Sequence, residues 1–405
     1  MTGLMMKSSI LIIGSGFAGM WSAVSAARLA YLNNRHDVDI TVLAPEPVLR
    51  IRPRFYEANV PSLSAPLTPL FSELGIRFIA GSAENIDTQQ QQVSYRDAQG
   101  VPGTIGYQRL ILATGSQIRR EGAQGVERYA FDIDQQDSAA ILEQHLEALS
   151  RQPSTPARNT VVVCGGGFTG IELACELPSR MHALMGADTP IKVIVVDRGQ
   201  VIASRYSEEM RQTIVEASAA LGVEWRLNSQ VAAVDANGVT LMDGSHIASH
   251  TVVWTAGVQA NGLSGQIDAP RDGQQRLVVN DDLQIPDFPA IYATGDMAHA
   301  RTDDAGHTAL MTCQHAIQLG KFAGHNAMAS LLGCPALPYR QEVYVTCLDL
   351  GEWGAVYSEG WDSQVKSVAQ EGKKIKLAIT HELIYPPQAN RDAAFAAADP
   401  LAKFV

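Results

Sequence analysis

The stretch Ile10-Leu-Ile-Ile-Gly14-Ser-Gly16-Phe17-Ala18-Gly19 is an apolar strand that runs into G-x-G-x-x-G and then into a helix of small residues. Val161-Val-Val-Cys-Gly165-Gly-Gly167-Phe168-Thr169-Gly170 repeats the pattern far down the chain. Each glycine answers a physical need. The first makes the strand-to-helix turn, the second lets backbone N–H groups approach a pyrophosphate, and the third lets the helix pack on the strand. The helix N-terminus adds partial positive charge. One such hexad is weak evidence. Two, each after a strand and before a helix, predict an α/β chain with two Rossmann-like dinucleotide-binding domains, an internal duplication with a divergent end.

An acidic residue closing the second strand of such a unit holds the adenosine ribose. Ile191-Lys-Val-Ile-Val-Val-Asp197 supplies it in the second copy, and a carboxylate there favours NADH over NADPH. Arg198 follows directly and softens that preference. The first copy carries Ala44 at the matching place, with Glu46 the nearest acid. Both copies continue alike. Residues 93–113 read as short strands ending in Leu110-Ile-Leu-Ala113-Thr114-Gly115, and residues 239–257 as a hairpin about Asp243-Gly244 ending at Gly257. The expected organisation is a first, discontinuous domain over 1–117 and 286–337, a second over 118–285, and a small C-terminal α+β segment over 338–405.

A chain of 405 residues suits two or three domains. The formal charge of −11 excludes nucleic acid or an anionic membrane surface as a bulk partner. Cys164, Cys175, Cys313, Cys334 and Cys347 form no C-x-x-C pair and no metal-ligand spacing, so no metal site is expected. They read as reduced thiols of a cytoplasmic protein. The N-terminal apolar run is broken by Gly14, Gly16 and Gly19, which makes it a first strand and helix rather than a membrane span.

Cys313-Gln-His-Ala-Ile-Gln-Leu-Gly-Lys321 poses a different question. Gln314 and Gln318 are four apart, so on a helix they share one face, with His315 beside the first. A core-facing helix rarely carries two amides and an imidazole without something polar to meet.

Together these motifs resemble flavoproteins with one FAD domain and one NAD(P)H domain. Ala290-Ile-Tyr-Ala-Thr-Gly295-Asp296 is similar to that class's second FAD signature, whose aspartate bonds the ribityl chain. Within the class the chain most resembles type II NADH:quinone oxidoreductases. Gly167-Phe-Thr-Gly-Ile-Glu172 is similar to their nucleotide loop, Phe55-Tyr56-Glu-Ala to their loop over the flavin, and residues 313–320 to their A-Q-x-x-x-Q-x-G quinone signature, with Cys313 replacing alanine. A looser likeness to relatives of apoptosis-inducing factor is also present. The resemblance implies bound FAD, hydride from NADH, and two electrons passed to a quinone-like or other small acceptor. It places Glu172 near nicotinamide and flavin, and sets Gln314 and Gln318 against quinone carbonyls or the flavin edge. His315 would deliver a proton.

Other features leave choices open. Arg50, Arg52 and Arg54 alternate, so on an extended segment they form a cationic strip that neutralises the FAD pyrophosphate (Arg54 included), binds an anionic acceptor, or faces water. Lys373, Lys374 and Lys376 read as a solvated helix face, and Glu176 as a plain helix residue. Pro386-Pro387 ends any helix before it, so membrane contact is expected to be peripheral at most. The aromatics of the strand–turn–strand at 348–357 suit either a homodimer interface or a roof on the flavin. A disulfide reductase is excluded, because the helix after Gly19 has no cysteine. A cysteine-persulfide route, a rubredoxin or ferredoxin reductase and a redox-sensing NADH-binding protein stand as alternatives.

Overall fold

The computed structural model describes residues 9–402. The expected run-in at 1–8 and the final residues 403–405 lie outside it. The larger of two layers is an eight-stranded mixed sheet in the order 284–285, 288–293, 109–112, 9–13, 39–44, 77–87, 92–97, 102–106, parallel from 288–293 through 77–87 and antiparallel at both edges. Ser9–Ile13 pairs in parallel with Asp39–Ala44 on one side and with Arg109–Leu112 on the other. Ile10 to Ile13 are buried because both faces of the strand are covered, which explains a continuous apolar run rather than an alternating one. The strand order reverses there, so the flanking connections part and open a crevice at the strand's C-terminal end.

The second layer repeats the plan with four parallel strands in the order 223–226, 192–196, 160–164, 251–254. The expected hairpin forms, with Gly238–Leu241 antiparallel to His246–Ala248 across Gly244 in the left-handed region. The two layers are joined by one antiparallel pair, Ser116–Ile118 against Val258–Ala260.

Four helices position the site: α1 (Phe17–Leu32), α2 (Phe168–Met185), α3 (Cys313–Leu332) and α4 (Ala369–Ala378). α1 is buried along nearly its whole length, between the sheet and α3. A Cβ on Gly320 would lie closer than 3.0 Å to the carbonyl of Ala18, and one on Gly324 equally close to that of Ser22. Ser22 Oγ donates to the Gly320 carbonyl at 3.1 Å. The helix backbones touch where these small residues meet.

Two expectations need correction. Residues 260–285, assigned to the second domain, belong with the first. Ala260, Ile267, Leu277 and Leu283 pack in the first domain's core, and Gln284–Ile285 pairs with Phe288–Ala293. The second domain therefore ends near Gly257, where the chain crosses back. Arg50, Arg52 and Arg54 form no strip either. Arg50 ends a short strand, whereas Arg52-Pro53-Arg54 is a 3₁₀ turn, which sends the three side chains to different partners.

The C-terminal segment is a three-stranded antiparallel sheet, Val345–Asp349, Ala355–Glu359 and Gln364–Val368. α4 follows, widens into a π-turn at Ile379–Leu383 and stops before Pro386. A short helix, Arg391–Ala397, then packs on α1, with the Phe395 ring 5.4 Å from that of Tyr31. No helix of the described residues is long and apolar enough to cross a membrane.

Candidate active site

The two glycine loops have the same interior geometry. A Cβ on Gly19 would lie closer than 3.0 Å to the Gly14 carbonyl, and a Cβ on Gly170 equally close to that of Gly165. The third glycine thus packs the helix onto the turn and stays behind the surface. Gly16 and Gly167, the helix N-caps, behave oppositely: a Cβ there meets nothing within 4 Å. Open space thus lies beside the start of α1 and of α2, which fits a pyrophosphate in each loop. Both loops open into one continuous cleft of about 2280 Å³. That exceeds the roughly 300–1,000 Å³ of a single small-ligand site, and leaves room for more than one ligand.

Around the first loop, Ala113, Thr114 and Gly115 line the cleft, as do Gly295 and Asp296. Asp296 accepts from Ser116 Oγ at 2.6 Å and from Arg52 Nη1 at 3.3 Å, while Arg52 also pairs with the buried Asp134. Arg50 lines the cleft as well, but Arg52 is the arginine that meets Asp296. Arg54 does not line the cleft; it is held by Glu57 at 2.7 Å and by the Tyr385 hydroxyl at 3.1 Å. Glu46 is likewise turned away, exposed and paired with Arg50 at 2.9 Å. Neither occupies the cofactor-binding place expected of it.

In the second loop Asp197 faces the cleft. Its carboxylate accepts the N–H of Gly166 at 2.7 Å and that of Gly199 at 2.6 Å, which fixes its direction. Arg198 beside it is exposed, and Gly257 lines the same cleft.

Glu172 lies on α2 one turn beyond the loop, lining the cleft yet only 3% exposed. Its Oε1 accepts from Lys376 Nζ of α4 at 2.6 Å and from the Asp349 N–H at 3.0 Å. Burial pushes its carboxyl up to about 7, with Lys376 opposing that rise. Burial lowers the Lys376 ammonium, but Glu172 outweighs it and the net direction is upward. We take the pair to be ionised in its resting form with Glu172 able to take a proton near neutrality, because the ammonium has a second partner in the Cys347 carbonyl at 3.1 Å. Around it, Lys373 holds Asp349 at 2.6 Å, and the Tyr56 hydroxyl donates to Asp349 at 3.1 Å. The expected solvated lysine face is thus corrected: Lys374 alone is exposed, while Lys376 is buried beneath Glu172. Glu176, also pushed up to about 7 by burial and then by Asp349, sits beside the same network.

Gln314 and Gln318 both line the cleft from the first turns of α3. Gln314 Oε1 accepts the Val345 N–H at 3.4 Å, which leaves its NH₂ for the cleft. His315 does not join them. One position further round the helix, it is fully buried against Tyr344 and Trp361, and its Nδ1 meets Thr312 Oγ1 at 2.9 Å. Burial, then Arg276, pulls it down to about 4, so near neutrality it carries no proton to deliver. That role is withdrawn.

A model of the pyridine nucleotide-disulphide oxidoreductase family matches residues 8–320. The chain belongs to that family. It is 40% identical over 398 residues to an NADH dehydrogenase-like protein of Mycobacterium tuberculosis, covering 96% of this chain and 98% of the relative. It is 28% identical over 360 residues to a demethylphylloquinone reductase of Synechocystis, covering 87% of each. In fold it superposes on the structure of NDH2 from Plasmodium falciparum in complex with NADH with a TM-score of 0.77, at 14% identity and 97% coverage of both chains.

The family's name includes a disulphide, but the cysteines of this member are free. Burial pushes Cys164 and Cys347 up to about 12 and Cys313 up to about 11, so all three cleft-lining thiols stay protonated at neutral pH. A persulfide route needs a thiolate nucleophile, which burial disfavours at these three positions. Sequence reasoning left Arg52 as one of three strip arginines, read Lys376 as solvated and did not single out Asp349. Their sequence signal was a charge beside apolar residues, which surface segments show equally.

Proposed function

We propose that this chain is an FAD-dependent oxidoreductase that takes a hydride from NADH and passes two electrons to a quinone-type acceptor. The observation that carries the reading is the single cleft faced by both glycine loops, Asp296, Glu172 and the glutamine pair. The NADH dehydrogenase-like and quinone-reducing relatives support the same chemistry. Bound FAD supplies the two-electron carrier between donor and acceptor.

The chain's own residues do the rest. Gly16 and Gly167 admit a pyrophosphate to each helix N-terminus. Asp197, aimed by two backbone N–H groups, accepts a ribose hydroxyl and repels a 2′-phosphate, which favours NADH. Asp296 is braced by Ser116 and Arg52 to meet the flavin's polyol. Gln314 and Gln318 offer N–H donors to acceptor carbonyls. Glu172 holds a proton at Oε2, since Oε1 accepts from Lys376 and from the Asp349 N–H, and Lys376 stabilises the carboxylate once the proton is given up. Leu310, Val343, Leu383 and Leu401 are exposed apolar residues on the cleft. They support a peripheral membrane contact through which a lipid-soluble acceptor arrives.

Anaerobic stopped-flow on the purified protein tests this. NADH is expected to bleach the flavin rapidly, and a soluble quinone to restore it rapidly. Bleaching into a persistent long-wavelength band that quinone does not clear overturns the proposal in favour of a redox sensor.

A further inference from the structure

Residues 51–63 belong to the first domain by chain order and largely to the second by packing. Phe55, Tyr56, Val60 and Leu63 are buried in one apolar cluster with Leu146 of the helix Gln136–Ser150 and Leu177 of α2. The second domain also grips the backbone of this segment. Glu143 accepts the N–H groups of Asn59 and Val60, the latter at 3.1 Å, and Gln136 Nε2 donates to the Val60 carbonyl at 3.0 Å. Arg180 of α2 donates from Nη1 to the Tyr56 carbonyl at 2.6 Å.

Arg180 is 8% exposed and does not line the cleft. It lies two turns beyond Glu172, about 12 Å along the helix. Among the described residues its hydrogen bond is to Tyr56, while Glu143, Glu176 and Glu57 act on it through space. A buried guanidinium with so little pairing is costly to the fold, so stability does not account for its place. Tyr56 does. The Tyr56 hydroxyl donates to Asp349 at 3.1 Å, and its ring lies 5.7 Å from Lys376 Nζ. Those are the two residues that hold Glu172 Oε1.

We infer that Arg180 is a positioning residue for the proton of Glu172, acting through Tyr56. By fixing the Tyr56 peptide it sets the phenol against Asp349 and Lys376, which keep Oε1 occupied and leave Oε2 for the proton. The inference rests on the proton role given to Glu172 above. A reacting group misplaced by about 1 Å costs up to ~10²-fold in rate, even when the mutation lies far from the chemistry.

The test is stopped-flow reoxidation of the NADH-reduced flavin by a soluble tail-less benzoquinone at about pH 6, where Glu172 is protonated. Arg180→Met and Tyr56→Phe are each expected to slow reoxidation about tenfold, with flavin reduction by NADH changed less than about twofold. Arg180→Lys keeps a donor for the carbonyl and is expected to recover most of the rate. The losses are expected not to add: Arg180→Met in a Tyr56→Phe or Glu172→Gln background costs less than about twofold more. Additive losses, or an Arg180→Lys protein as slow as Arg180→Met, overturn the inference. An Arg180→Met protein that does not fold shows the arginine to be structural and overturns its part; Tyr56→Phe, which keeps the ring, then tests the rest. If Glu172→Gln is reoxidised as fast as the unaltered protein, the proton role of Glu172 fails and takes the inference with it. If Glu172→Gln is slow and Tyr56→Phe is not, only the inference falls.

Discussion

Lys376 and Glu172 stand 204 residues apart in the chain and 2.6 Å apart in space, each side chain 4% exposed. Deleting one member of such a pair leaves a bare buried charge, which costs about 3–5 kcal/mol, whereas replacing both is far milder. Lys376→Met should therefore lower the thermal midpoint markedly, and adding Glu172→Gln should recover most of the loss. A double-mutant cycle by thermal unfolding measures this. Strictly additive losses would show that the pair is not coupled.

The same carboxyl gives a pH dependence. With Glu172 raised to about 7 by burial, its protonated form predominates below that pH. Reoxidation of the NADH-reduced protein by quinone should be flat below about pH 7 and fall by about tenfold per unit well above it. Glu172→Gln should abolish the slope and slow the step at low pH. A slope that persists in the variant assigns the proton to another group.

His315 should report on stability and not on turnover. Its folded value is depressed to about 4 by burial, so between there and the unfolded value near 6.5 the unfolded chain binds more protons. Its contribution is present above about 6.5 and is lost as pH falls towards 4, amounting to at most about 3 kcal/mol. Urea unfolding at neutral and acid pH should show a smaller difference in His315→Gln, with kcat near pH 7 within about twofold. A kcat collapse with unchanged stability would restore the proton-delivery role.

Asp197 sets the donor preference. Asp197→Ser removes an acceptor for the ribose hydroxyl and the charge that repels a 2′-phosphate. The NADH-to-NADPH ratio of kcat/KM is expected to fall by about tenfold or more, mostly through KM for NADH. An unmoved ratio would place the discrimination elsewhere, with Arg198 the next residue to change.

The loops were readable because their information is local: an apolar strand, glycines at fixed offsets and a helix occupy ten consecutive residues. The two-glutamine face was readable for the same reason. What was misread depends on distant partners. Lys376 shares its basic-apolar neighbourhood with the exposed Lys374, and only the carboxylate of Glu172 separates them. Glu46 is read from being the acid nearest the first unit's strand and Arg54 from its alternation with Arg50 and Arg52, yet Pro53 bends the chain into a turn, and each charge meets a neighbour within four residues. His315 went wrong by a single helical step. The domain boundary failed because short strands such as Gln284–Ile285 carry too few residues to show which sheet they join.

The antiparallel pair Ser116–Ile118 and Val258–Ala260 has an evolutionary reading. Adjacent strands run about 4.8 Å apart, so the nucleotide unit between them leaves and rejoins its host at practically one spot. Insertion of a whole unit at such a place asks nothing of the host sheet's strand order, because the two strand ends that flank the insert are already neighbours. Two ancestral copies of one gene segment, the later nested inside the earlier, would need no more than this doorway, and either could be exchanged for a foreign relative while the other kept its shape.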